Sequence, residues 1–125
     1  MRRPKRILLI TLGVGATLAV CVAVWLMLRP VPPVTVIVKN TSGKVVISVR
    51  LDHERGVEAL ENLAPGSEKA IRFEAGGETS YRLRVRFADG SELAGGGGYA
   101  EPGYEFSETI TDSGILTDTR LPTRY

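Results

Sequence analysis

Hydrophobic positions follow two different rules along this chain, and the change falls near residue 30. From Ile7 to Leu28 run 22 residues without a charge, ILLITLGVGATLAVCVAVWLML. As a helix this stretch reaches about 33 Å, enough for a hydrocarbon core of about 30 Å. Lipid offers the backbone no hydrogen-bond partners, so a single span must be helical. Arg2, Arg3, Lys5 and Arg6 precede the run and only Arg29 follows it. The positive-inside rule then keeps the N-terminus in the cytoplasm and sends the remainder across. A cleaved signal peptide has a shorter apolar region, ended by a small-x-small site. Here Ala19-Val-Cys21 and Cys21-Val-Ala23 come near that pattern, but apolar residues continue beyond both. A lipidated Cys21 would need a smaller residue than Val20 before it. An uncleaved anchor is the expectation, with Cys21 as apolar filler. Thr11, Gly15, Ala19 and Ala23 recur every fourth residue, the small-residue stripe that lets two such helices approach as a homodimer.

Arg29-Pro-Val-Pro-Pro33 cannot continue a helix and reads as a short, stiff spacer. From Val34 the period is two. Val34–Lys39 is rich in β-branched residues, and Asn40–Gly43 has turn composition. Val45, Ile47, Val49 and Leu51 alternate onto one face, Asp52–Gly56 reads as a polar loop, and Val57–Leu60 as a short strand. A helical turn over 54–61 competes with that strand. After the turn Leu63-Ala-Pro-Gly66, alternation resumes through Ile71 and Phe73. In Ser80–Phe87 the apolar residues Tyr81, Leu83, Val85 and Phe87 interleave with Arg82, Arg84 and Arg86. Ala88-Asp-Gly90 suits a three-residue hairpin loop, pairing Phe87 with Ser91, Val85 with Leu93, Leu83 with Gly95 and Tyr81 with Gly97. A two-residue loop would set Phe87 against Glu92. The predicted register lays Tyr81 and Leu83 across Gly95–Gly98, so those glycines need not be a linker. Strands over Tyr104–Thr111 and Ile115–Arg120 complete the pattern.

Six to eight short strands in about ninety residues predict an all-β fold, a small antiparallel sandwich of immunoglobulin-like character. Cys and Trp are absent from this part of the chain. The predicted organisation is a basic cytoplasmic tag (1–6), a transmembrane helix (7–28), a Pro-rich linker (29–33) and an extracytoplasmic β-sandwich (34–125).

Composition narrows the chemistry. The formal charge is +2, yet from Val34 onward eleven Lys/Arg face all fourteen Asp/Glu, net −3. The cationic excess is confined to the N-terminal tag, so a nucleic-acid partner is not expected. One cysteine and one histidine exclude a disulfide and the common cysteine and histidine metal sites. No cofactor is expected. Asp52-His-Glu54 has adjacent acid and imidazole, but neighbouring strand residues point to opposite faces, and a solvated loop histidine is the plainer reading. Gly95–Gly98 lacks the helix and lysine of a phosphate loop.

The candidate contacts are Arg82, Arg84 and Arg86, a row about 7 Å apart along one face, and Tyr99 beside the Glu101-Pro-Gly103 turn. The arginines suit an acidic partner or anionic headgroups. The plainer alternative is a solvated outer face balanced by Glu68, Glu74 and Glu92 on neighbouring strands. Tyr104, by contrast, alternates with Phe106 and Ile110 and reads as core. No nucleophile motif appears, so a non-enzyme is expected. The expectation is a single-pass protein of a bacterial inner membrane. Its periplasmic sandwich would serve a membrane or envelope protein as a binding or accessory module. The alternative function is an immunity protein against a toxin acting in the periplasm.

Overall fold

The computed structural model describes residues 3–28 and 30–121, with side chains from residue 13 onward. It divides into two compact units, residues 1–30 and 31–125.

The first unit is helix α1, Arg3–Met27. Its apolar side chains from Val14 to Met27 lie on every side of the helix and are exposed. Thr17 donates its hydroxyl to the Gly13 carbonyl at 2.9 Å, so this hydroxyl is satisfied within the helix. Among the described residues, no helix is long and apolar enough to cross a membrane. The expected span over 7–28 includes residues 7–12, whose side chains lie outside the described set, as does that of Thr11 in the small-residue stripe.

The second unit is a sandwich of eight strands: β1 Val34–Asn40, β2 Val46–His53, β3 Gly56–Leu63, β4 Glu68–Phe73, β5 Thr79–Phe87, β6 Glu92–Ala100, β7 Glu105–Ile110 and β8 Ile115–Arg120. One sheet has the order β4-β1-β7-β8 and the other β3-β2-β5-β6. All neighbours are antiparallel except β1 and β7, which run parallel. The expected two-sheet sandwich is therefore present. In the immunoglobulin order the first two strands are neighbours; here β1 lies between β4 and β7, in the sheet opposite β2.

Period-two patterning drives this arrangement. Along β5 buried and exposed residues alternate without a break, and β1 buries Val34, Val36 and Val38. The inner faces interdigitate around Leu51, Tyr81, Leu83, Val85, Phe106 and Ile110. Asn40 ends β1 fully buried, which a polar amide tolerates only when satisfied. Its Nδ2 donates to the carbonyls of Lys44 and Leu63, and its Oδ1 accepts from the Ser42 amide and hydroxyl. Leu63 belongs to the opposite sheet, so this side chain ties the two layers together.

Three local expectations are corrected. A bulge between Val46 and Ser48 resets the parity of β2. Val46, Val49 and Leu51 are buried, whereas Val45 and Ile47 face solvent. Of the expected loop 52–56 only Glu54-Arg55 is turn, between β2 and β3, and 56–61 is extended rather than helical, because β3 pairs with β2 along its whole length. The hairpin after β5 has the predicted three-residue loop: Phe87 N–H donates to the Ser91 carbonyl and Gly90 takes φ +85°. Its register holds through Val85–Leu93 and Leu83–Gly95, then shifts by one, so Tyr81 meets Gly98 rather than Gly97.

Candidate functional site

The outer face of the β3-β2-β5-β6 sheet gathers the residues singled out from the sequence. Arg82, Arg84 and Arg86 project from β5 and are all exposed. Register adds Arg50 from β2, directly opposite Arg84. The neighbours beyond this pair are Ala59 on β3 and Ala94 on β6. One row across the sheet therefore reads Ala59, Arg50, Arg84, Ala94, with two cations side by side and no acid. Like charges directly opposite one another oppose sheet formation. Folding alone gives no reason to place them there.

The acids expected to balance this face are mostly elsewhere. Glu68 lies on β4 in the other sheet and forms an ion pair with Lys39 at 3.7 Å. Glu74 follows β4 and is equally remote from β5 in the sheet order. Of these three only Glu92 is a neighbour, 3.4 Å from Arg86, while Asp52 of β2 stands opposite Arg82 in register. Arg50 meets Asp52 of its own strand at 3.1 Å. Both pairs are about half exposed, a setting in which an ion pair contributes only about 0.2–1 kcal/mol. Among the described residues, no carboxylate lies within ion-pair distance of Arg82 or Arg84.

Tyr99 pairs with Ser80 across β5 and β6, which puts it on the same outer face, one step from Arg82. It is 51% exposed. Its phenol donates to Glu101 Oε1 at 2.5 Å, and its ring meets Tyr104 edge-on with centroids 6.4 Å apart. The Glu101 carboxylate, assisted by partial desolvation and by Glu78, raises the phenol above its ordinary pKa. Tyr104 is half-buried against the core, as expected.

His53 is not the solvated loop residue expected. Its side chain is 6% exposed and stacks on Phe73 at 4.4 Å. The reason is parity: His53 continues the inward series Val49, Leu51. Nδ1 accepts the Arg55 amide at 3.3 Å, which leaves the ring proton on Nε2, buried 3.5 Å from Glu58 Oε1 without a hydrogen bond. Asp52 points to the opposite face and meets Arg50, so the acid and the imidazole do not converge. A polar hollow of about 240 Å³ lies nearby, lined by Glu54, Arg55, Ala75, Gly76, Gly77, Glu78 and Thr79. The Arg55 guanidinium rests on Gly76 so closely that a Cβ there would stand 1.8 Å from it. Among the described residues, no three His, Cys, Asp or Glu side chains cluster as metal ligands.

Sequence reading missed Glu108. This carboxylate is fully buried between the sheets. Oε1 accepts the Tyr81 hydroxyl at 2.5 Å and the Gly97 amide at 2.8 Å, and Oε2 accepts the Thr117 hydroxyl at 2.8 Å. Burial, then the carboxylate itself, pushes the Tyr81 phenol far above its usual range. The tetraglycine run is shaped around this group. Gly96 (φ +63°) lies so near that a Cβ would be 2.6 Å from Glu108 Oε2, and Gly97 (φ +82°) would bring one 1.8 Å from the Tyr81 carbonyl. These two residues absorb the register shift of β6. The signal was present: Glu108 stands at the inward parity between Phe106 and Ile110.

No family model matches the chain, and no curated protein matches it. A solved structure does: an NMR structure of a protein from Eubacterium rectale superposes with a TM-score of 0.55 at 11% identity, covering 74% of this chain and 93% of that one. At that identity the likeness concerns the fold alone.

Proposed function

We propose that this chain is a membrane-tethered, non-catalytic binding module whose sandwich engages an acidic protein partner through the arginine face of β2 and β5. The observation that carries this reading is the row Ala59, Arg50, Arg84, Ala94, where two cations face each other and only Arg50 has a carboxylate, Asp52, within ion-pair distance. Such an arrangement costs folding free energy and returns it on contact with carboxylates. Alternation explains one arginine row on β5; it does not explain a second strand placing Arg50 against it.

The tether rests on the full run Ile7–Leu28, with four cations before it and one after. The described apolar side chains of α1 occupy every side of that helix. The proposed location is a bacterial inner membrane with the sandwich in the periplasm. Tethering confines both partners to one surface, so modest contacts suffice through effective concentration.

Two measurements test this reading. A periplasm-dependent reporter fused after Tyr125 should be active, and the full chain should sediment with membranes until detergent is added. Recovery of the intact chain in the soluble fraction would remove the tether. Site-specific crosslinking from position 94, beside Arg84 in the row, should capture a protein in the membrane fraction, and the adduct should vanish with Arg50→Ser/Arg84→Ser. Capture that is indifferent to those substitutions would remove the arginine face from the account.

A further inference from the structure

We infer that the arginine face takes an extended acidic segment whose carboxylates stand at alternate residues, running along β5. This deepens the proposed function and rests on its assignment of the face. Arg82, Arg84 and Arg86 share one side of a single strand, so their Cα atoms repeat about every 7 Å. Alternate residues of an extended segment repeat at the same spacing. Acids on a helix instead neighbour each other three or four residues apart, about 5–6 Å between Cβ atoms, and curve away from a flat sheet.

The middle position is doubled. Arg50 stands opposite Arg84, so a central carboxylate meets two guanidinium groups, each able to bind it bidentately. Ala59 and Ala94 bound the row with short side chains, leaving an open path for a chain on either side. The existing pairs Arg50–Asp52 and Arg86–Glu92 are exposed and weak enough to exchange. β5 lies between β2 and β6, so its backbone is fully used. Recognition must be by side chains and not by strand addition. A second copy of this chain does not fit the spacing: acids two residues apart occur only at Asp52 and Glu54, two carboxylates against a row of three arginines.

Fluorescence polarisation at low salt, with the full chain in a neutral detergent, tests the spacing. One labelled peptide is (Ser-Glu)4; the other is SEESSEES, which has the same composition but never places two acids two residues apart. The alternating peptide should bind about tenfold more tightly, the sum of two or three exposed charge pairs. Arg82→Ser/Arg84→Ser should abolish that preference with an unchanged far-UV spectrum. Arg72→Ser, on the outer face of the other sheet, should preserve it. Equal affinity for both peptides, lost in the double variant, would overturn the spacing and leave the acidic-partner reading standing. Absence of peptide binding, or binding that ignores the double variant, would overturn both. Binding of glycerophosphoglycerol in place of either peptide would assign the face to lipid headgroups and overturn both as well.

Discussion

Glu108 and Tyr81 form the part of the core whose energetics are most open to test. Glu108 is fully buried, Tyr81 is 1% exposed, and 2.5 Å separates the phenol from the carboxylate. Removing one member strands the other. Tyr81→Phe leaves a buried carboxylate with two donors in place of three, and a hydrogen bond to a charged group contributes about 1.5–3 kcal/mol. Glu108→Leu leaves the Tyr81 hydroxyl buried without an acceptor and the Gly97 amide partly so, about 2–4 kcal/mol together. The Thr117 hydroxyl is at an exposed position and turns to water. The double variant Tyr81→Phe/Glu108→Leu strands only the Gly97 amide and escapes the desolvation of a charge, so it should lie within about 1 kcal/mol of the wild type. Thermal unfolding of residues 31–125, followed by circular dichroism near 218 nm, reads this cycle. Each single variant should melt about 10 °C or more below the wild type, and the double variant should recover most of the loss. Additive losses in the double variant would show that the two groups do not depend on each other. A single Glu108→Leu more stable than the wild type would show that the carboxylate is held at a net cost.

The same pair predicts alkaline behaviour. The folded state keeps the Tyr81 proton that the unfolded chain releases near pH 10, so its contribution is complete below pH 10 and falls as pH rises, by about 1.4 kcal/mol per unit. Tyr81→Phe should make this decline shallower in urea titrations between pH 9 and 11. Tyr99, raised in the same direction, supplies a remaining slope, and an unaltered profile would contradict the assignment to Tyr81. Gly97→Ala combines a left-handed φ with a Cβ 1.8 Å from the Tyr81 carbonyl, and should cost about 2–4 kcal/mol, while Gly43→Ala, with nothing within 4 Å, should cost little. Equal melting temperatures for those two variants would refute the close packing of β6 over Glu108. Replacing Arg82, Arg84 and Arg86 together by Ser should change stability by less than about 1 kcal/mol, since all three are exposed. A loss of several kcal/mol would show that they serve the fold.

Much of the sandwich was legible because period-two alternation reports burial directly. Most of the eight strands, within an expected six to eight, the loop Ala88-Asp-Gly90 and the outward row on β5 follow from it. Failures occurred where one residue altered the parity. The bulge at Val46–Ser48 inverted the faces of Val45 and Ile47, and the glycine bulge moved Tyr81 from Gly97 to Gly98. His53 and Glu108 failed for another reason. Both stand at inward positions although they are polar; Glu108 is tolerated there by donors from distant strands, and His53 lies stacked on Phe73 of the other sheet.

The sequence by itself determined that the chain carries an uncharged N-terminal run, a proline-rich break and a set of short alternating strands, because these depend on residue order and local period. Tertiary structure decided which strands became neighbours. Arg50 met Arg84, Glu68 and Glu74 were left in or beside the other sheet, and Tyr81, Gly97 and Thr117 converged on Glu108. Cross-strand pairing joins residues up to tens of positions apart, and no local pattern encodes which pairs will form.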